Sequence, residues 1–248
     1  MIRFLKNIIL KRVFAKLKST TRSTYYSAAK SAAELAEEFP EITFSGPTEL
    51  CNIMNATGSD KGNGWHNYTK VYTSLFEGMK VEHLFELGIG TTNTAFGNNM
   101  GANGTPMASH RGWRKYFENA TIYAADIDAS VAKSEHGIHA YQCDQTDAYS
   151  IEAMWSPQNM PEAFDIIIDD GLHEFEANTH FFENSIHKLR AGGIYVVEDI
   201  LNVKLGYWEQ KIESEYTRKY PDLVFRICCI PNLSNALDNN LLIIYKLA

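Results

Sequence analysis

The 248-residue sequence predicts an α/β fold: a doubly wound, mostly parallel seven-stranded sheet with an antiparallel hairpin at its C-terminal edge and a helical extension at its N-terminus. Three observations predict it. From residue 81 onward, short runs rich in β-branched and aromatic residues ("VEHLFELG", "TIYAADI", "IHAYQCD", "FDIIIDD", "GIYVVEDI") alternate with segments long enough to be crossovers, which parallel neighbours require. The run of three isoleucines has no polar alternation, the mark of a strand buried on both faces. The last two runs, "LVFRICCIP" and "NNLLIIYKL", are joined by too few residues for a crossover, so they pair as a hairpin.

Taken in order, residues 1–33 carry eight basic side chains and no acid, which leaves 15 basic against 30 acidic groups in the rest of the chain and a net charge of -7. Leu5, Ile8, Ile9, Val13 and Leu17 recur at helical spacing, so this segment reads as a basic amphipathic helix. Lys6, Lys11 and Arg12 interrupt its apolar run, which excludes a membrane span and argues against a secretory signal. Packing on its own acidic domain, on a second subunit in a homo-oligomer, or on an anionic membrane surface all fit this pattern, as does disorder. A second helix, "SAAKSAAELAEEF", is closed by Pro40, and a glycine-rich loop around residues 58–64 leads to a helix with Tyr68, Val71, Tyr72 and Leu75 on one face. Residues 1–80 are thus expected to be a helical lid or interface region and residues 81–248 the main domain.

The acidic balance gives no support for nucleic acid as a partner. Cys51, Cys143, Cys228 and Cys229 show no CxxC spacing and read as small buried hydrophobes of a reducing, cytoplasmic compartment, with attachment to the inner membrane face open through the basic helix.

In open α/β sheets ligands bind beyond the carboxyl ends of the strands. Glu86, Gly88 and Gly90 follow the first strand, Asp126 and Asp128 the second, Asp144 the third, Asp169 and Asp170 the fourth, and Glu198 and Asp199 the fifth. Successive acids at the second and third strand ends suit the hydroxyls of a ribose and the amino group of an adenine. A nicotinamide fingerprint would have a third glycine at position 93, which is Asn. The motifs "ELGIG", "AADID" and "CDQTD", with the closing hairpin, resemble class I S-adenosylmethionine-dependent methyltransferases of Rossmann-like fold, although Thr92 stands where that family often has a further glycine. The resemblance implies that Glu86, Gly88 and Gly90 line the methionine and ribose, that Asp126, or else Asp128, holds the ribose, and that Asp144 reads the adenine.

Three carboxylates crowded at two strand ends must be separated, protonated or bridged by a cation, and an oxygen-only set suits Mg²⁺, with Mn²⁺ or Ca²⁺ as alternatives. Asp170, Glu198 and Asp199 are therefore expected to hold a metal, while Asp169 points to the other face of its strand. His173, three residues after Asp170, reads as the general base beside that cation, against the plainer roles of cap or ligand. The set "DIIIDDGLHEF" and "GGIYVVED", with the upstream "GSDKGNGWHNYTKVY" and "GWRKYF", also resembles the metal-dependent O-methyltransferases acting on the deoxysugars of macrolide antibiotics. That resemblance implies the same metal and base assignments, with His66 and Tyr68 closing over cofactor or substrate. The expected activity is methyl transfer from S-adenosylmethionine to a hydroxyl of a sugar, glycan or similar small polar metabolite. Trp65, Trp113 and Tyr207 are aromatic candidates for flanking the acceptor ring. Two rivals stand beside this reading: an iron-dependent hydroxylase of a natural-product pathway, and a non-catalytic cofactor-binding scaffold in a biosynthetic complex.

Overall fold

The structure, a computed structural model, describes residues 46–62, 64–156, 158 and 160–248. The helices expected over residues 1–33 and 27–39 lie outside the described residues. Among those described, one mixed sheet runs in the order β3-β2-β1-β4-β5-β7-β6, formed by β1 (His83–Leu87), β2 (Thr121–Asp126), β3 (Ile138–Gln142), β4 (Phe164–Asp169), β5 (Leu189–Val197), β6 (Leu223–Cys229) and β7 (Asn240–Lys246). The first five strands pair in parallel, while β7 lies antiparallel between β5 and β6. The expected hairpin is therefore present at one edge, with its second strand inserted inside its first.

The helices on one face are α1 (Glu49–Thr57), α2 (Thr69–Leu75) and α3 (Ala108–Tyr116). Thr48 caps α1, its Oγ1 accepting from the Cys51 amide at 3.1 Å. Leu50, Met54, Tyr68, Val71, Tyr72 and Trp113 pack there against Leu84, Ile122, Ile166, Ile168 and Val196 of the sheet. The opposite face carries α4 (Ala148–Trp155), α5 (Phe175–Ser185) and α6 (Leu205–Lys211), the last continuing through a π-helical turn, Ile212–Tyr216. Phe85, Ile167, Tyr195 and Val197 pack on that side against Trp155, Phe181, Phe182 and Trp208. Period-two alternation thus divides each strand between two cores, and both α1 and α2 belong to the same core as the strands. Burial on two faces explains why "DIIID" lacks a polar stripe. Among the described residues no helix is long and apolar enough to cross a membrane. All four cysteines are free thiols, Cys229 alone being partly exposed.

Candidate active site

The turn after β1 depends on two glycines. Gly88 (φ +99°) and Gly90 (φ +84°) adopt left-handed backbone that disfavours a side chain, and a Cβ on Gly88 would stand 1.9 Å from the Asp170 carbonyl oxygen. The β1 and β4 ends are therefore in contact, with the Asp170 amide donating to Leu87 O at 3.0 Å and the Glu198 amide to Asp169 O at 3.0 Å. On the face shared with α1–α3, these ladders bring Glu86, Asp170 and Glu198 together.

A lysine enters between them. Lys61 Nζ donates to Asp170 Oδ2 at 2.5 Å and to Glu198 Oε2, and stands 3.2 Å from Glu86 Oε1. Burial alone would drive this ammonium to lose its proton, but Asp170, Glu198 and Glu86 outweigh that effect and hold its pKa well above the ordinary lysine value. Glu86 is fully buried and outside the cavity wall; it also accepts from Ser109 Oγ at 2.9 Å and Trp113 Nε1 at 2.5 Å. The structure thus places Glu86 as an anchor beneath the site. Trp113 lies fully buried in the core with it, off the cavity wall.

Asp170 faces both Lys61 and His173. His173 Nε2 is 3.1 Å from Asp170 Oδ1, and Nδ1 is 3.5 Å from Asp199 Oδ2. Ligand atoms of Asp170, His173 and Asp199 all lie within 4.8 Å of one another. Burial would raise the Asp170 pKa, but Lys61 and His173 draw it below the usual carboxylate range. Burial likewise opposes charge on His173, yet Asp199 and Asp170 carry its pKa up to about 10. Asp199, which has less cationic company, is pushed upward by burial against the opposing pull of His173.

Both His173 (φ 61°) and Asp199 (φ 55°) occupy left-handed backbone without being glycines, a conformation that costs about 1–2 kcal/mol per residue. At Asp199 it interrupts the alternation that would turn the side chain to the face of Asp169. Tyr68 secures the result, its Oη donating to Asp199 Oδ1 at 2.6 Å and to Asp238 O at 3.1 Å. His66 stacks on Tyr68 with ring centroids 4.7 Å apart, and its Nδ1 lies 3.2 Å from Asn239 Oδ1 and 3.6 Å from Asp199 Oδ1. Both residues line the cavity while bracing Asp199.

Glu198 lines the same cavity but stands outside this three-residue group. Its Oε2 accepts from Lys61 and its Oε1 from Tyr72 Oη, and burial, opposed by Lys61 and reinforced by Asp170 and Glu86, lifts its pKa well above the ordinary value. Of the three expected metal ligands, the structure joins Asp170 and Asp199 and adds His173, while Glu198 is shared between a lysine and a tyrosine. Asp169 points to the other face as expected, accepting from Asn178 Nδ2 at 3.0 Å, with its pKa raised to about 7 by burial against that bond.

A cavity of about 510 Å³ opens over these groups, within the size range of small-molecule sites. Its opposite wall contains Gly88, Gly90, Asp126 and Asp144, and the loop between β1 and α3 borders it with Phe96, Asn98 and Met100. Asp126 Oδ2 accepts from the Ile89 and Gly90 amides at 2.9 and 3.0 Å, and its Oδ1 from the Asp128 amide at 2.9 Å. Of roughly four acceptor sites on a carboxylate, most are therefore engaged in gripping the glycine turn. Asp128 lies off the cavity wall, bound to Thr91 Oγ1 at 2.5 Å and the Ser130 amide at 2.8 Å. Asp144 lines the cavity and accepts from Thr146 N and Oγ1 at 2.8 and 2.7 Å. Trp65 and Tyr207 are about half exposed.

The oxygens of Asp170 and Asp199 fit a hard divalent cation such as Mg²⁺ or Mn²⁺. An iron facial triad would need two histidines and one carboxylate, and the cluster found among the described residues has the reverse composition. Sequence reasoning missed Lys61 and Tyr72. Tyr72 falls on the apolar face of its helix, and Lys61 lies in the glycine-rich "GSDKG", where no local pattern marks either as part of a site.

No family model matches the chain. The chain is 31% identical over 158 residues, 63% of its length and 38% of the relative, to 8-demethyl-8-(2-methoxy-alpha-L-rhamnosyl)-tetracenomycin-C 3'-O-methyltransferase of Streptomyces olivaceus. It is 28% identical over 191 residues, 75% of its length and 43% of the relative, to demethylmacrocin O-methyltransferase of Streptomyces fradiae. The chain therefore spans less than half the length of these curated relatives. The crystal structure of MycE methyltransferase from the mycinamycin biosynthetic pathway, in complex with Mg and SAH, superposes with a TM-score of 0.63 at 21% identity, covering 82% of this chain and 56% of that one. The chain thus has the Rossmann-like methyltransferase fold, and in sequence it resembles the O-methyltransferases named above.

Proposed function

We propose that this protein is a metal-dependent O-methyltransferase that moves the methyl group of S-adenosylmethionine to a hydroxyl of a sugar, glycan or similar small polar metabolite. The observation that carries this reading is the meeting, in one cavity, of a glycine turn with acids at the β2 and β3 ends and a cluster of Asp170, His173 and Asp199. The names of the relatives, and the Mg and SAH in the MycE complex, support it.

Gly88 and Gly90 shape the turn that lines the cavity, Asp144 offers an acceptor at the β3 end, and Asp126 retains limited capacity toward a ribose. Asp170 and Asp199 would hold the cation, with Glu198 available if Lys61 releases it. When bound, the cation supplies Lewis acidity that lowers the pKa of an acceptor hydroxyl beside it. Tyr68 and His66 fix Asp199 in its strained backbone. His173 takes the hydroxyl proton on a ring nitrogen as the oxygen lone pair forms the new bond to the methyl carbon and the carbon–sulfur bond breaks toward sulfur. With Asp170 and Asp199 unshared, His173 is held protonated, so it serves as a base only when those carboxylates have another cation to satisfy. Orientation at one rim supplies the proximity that such a displacement needs.

The test is incubation with methyl-labelled S-adenosylmethionine and a panel of nucleotide-sugars, glycosides and glycans, with Mg²⁺ or with chelator. Label should pass to an acceptor in Mg²⁺ and cease in chelator, and Asp170→Ala should abolish transfer while leaving the fold intact. Undiminished transfer in chelator or in folded Asp170→Ala would defeat the metal-assisted reading.

A further inference from the structure

Lys61 is buried to 2% exposure, and its Nζ stands between Asp170 Oδ2 and Glu198 Oε2. Lysine is almost never fully buried unless paired, and here it is paired with two of the three carboxylates expected to hold a cation. We propose that Lys61 is the resident counter-ion of this set: a divalent cation displaces it from Asp170 and Glu198, and its ammonium withdraws to Glu86. This inference rests on the cation site proposed above.

Three features support it. First, Mg²⁺ approaches carboxylate oxygens to about 2.0–2.1 Å, so a cation held by Asp170 and Glu198 would stand in direct opposition to an ammonium bonded to the same carboxylates. Second, a destination exists: Glu86 Oε1 is already 3.2 Å from Nζ, and Glu86 is fixed by Ser109 and Trp113 outside the cavity wall. Third, the Lys61 backbone is held independently, its carbonyl accepting from the Thr69 amide at 3.2 Å and its amide donating to Ser59 Oγ at 3.3 Å. The four-carbon stem can therefore carry the ammonium from one partner to another while the chain stays in place. Without the lysine, the buried Glu86 and Glu198 would face Asp170 with only His173, on the far side of Asp170, as a cation until metal arrives. Lys61 is on this view a positioning residue: it draws the Asp170 pKa down and opposes the rise at Glu198, and it competes with the metal for both carboxylates.

Calorimetric titration of the metal-stripped full chain with Mn²⁺, for wild type and Lys61→Met, tests the competition, together with thermal melting in chelator and in Mn²⁺. Lys61→Met should bind Mn²⁺ about tenfold more tightly or better, equivalent to about 1.4 kcal/mol. It should melt below wild type in chelator and gain more from Mn²⁺ than wild type does. A merely structural lysine would give the opposite sign, because a loosened site binds metal less well. Equal or weaker affinity in Lys61→Met would overturn the inference and leave the cation site standing; no Mn²⁺ binding by wild type would overturn both. Wild-type crystals soaked in Mn²⁺ decide the matter if Lys61→Met does not fold. The ammonium should be found on Glu86 alone, and an ammonium still bonded to both Asp170 and Glu198 beside bound Mn²⁺ would refute the displacement.

Discussion

Gly88→Ala couples the glycine turn after β1 to the carboxylate cluster through one atom. Its Cβ would lie 1.9 Å from the Asp170 carbonyl oxygen, where ordinary contact begins at 3.4 Å, so backbone must give way by about 1.5 Å. The obstacle is main chain, which no rotamer change relieves. The left-handed φ adds roughly 1–2 kcal/mol for a non-glycine residue. Movement of the Asp170 peptide also endangers the bond from its amide to Leu87 O, worth about 1 kcal/mol. Together these predict a loss of about 2–3 kcal/mol, a large part of a typical stability of about 5–15 kcal/mol. Because the Asp170 side chain moves with its backbone, the contact with Lys61 and the approach to His173 suffer in the same step. Urea denaturation in chelator measures the first effect and Mn²⁺ titration the second, with Gly97→Ala as control because a Cβ there meets nothing within 4 Å. If Gly88→Ala unfolds within about 0.5 kcal/mol of wild type and binds Mn²⁺ equally well, the contact between the two strand ends does not have the role assigned to it.

Tyr72→Phe removes a buried donor to Glu198 Oε1 and should lower stability by about 1–3 kcal/mol in urea denaturation; a change within error would show that Lys61 alone satisfies Glu198. Tyr68→Phe leaves Asp199 in a left-handed backbone without its 2.6 Å donor, and should weaken Mn²⁺ binding with little change in the sheet as seen by circular dichroism. Asp165 clamps the start of β1, accepting from the Glu82 and His83 amides at 2.7 and 2.9 Å and pairing with Arg190 at 2.5 Å. Asp165→Ala should therefore destabilise by about 1–3 kcal/mol without altering metal affinity. Burial pushes the Cys143 thiol up to about 12 from 9.0, so the folded state binds a proton that the unfolded state releases. Its contribution is complete below about pH 9 and is lost as pH rises toward 12, by up to about 4 kcal/mol. Cys143→Ala should unfold with a shallower alkaline pH dependence than wild type, and an unchanged slope would contradict this.

The sheet was legible because its signals are local: isoleucine and valine runs, helix-length gaps, and a final pair of strands too close for a crossover. Strand-end carboxylates were legible for a related reason, since charge at the tip of a doubly buried strand has few structural uses. Direction was legible in part. Alternation places Glu86, Asp170 and Glu198 on the face of α1–α3, and it correctly sends Asp169 toward Asn178. It fails at Asp199, whose left-handed φ brings it back beside His173, and no local sequence pattern announces such a residue. Glu86 shows a different limit. Its position fitted a cofactor wall, but the indole of Trp113 and the hydroxyl of Ser109, 27 and 23 residues away, claim it from behind. Lys61 was hidden because it contacts Asp170 and Glu198 across 109 and 137 residues of sequence. In a glycine-rich loop a lysine looks solvated until the tertiary fold closes over it.

The same tertiary closure explains why so much unfavourable structure is gathered in one place. Two non-glycine residues in left-handed backbone, a buried ammonium and the carboxylates of Glu86, Asp170, Glu198 and Asp199 lie together at the ends of β1, β4 and β5, where the strands themselves are lined with isoleucine, valine and leucine. Each would be costly alone. Dry surroundings also strengthen every charge interaction among them, so that Lys61, His173 and the carboxylates constrain one another more tightly than they would at the surface. A site assembled this way responds to a change of one charge by rearranging its pairings, because Lys61, Glu86 and Glu198 are buried from bulk water. Entry of a divalent ion would therefore be felt at once by Lys61, Glu198 and His173, and the proton affinity of the histidine becomes conditional on whether Asp170 and Asp199 are already taken.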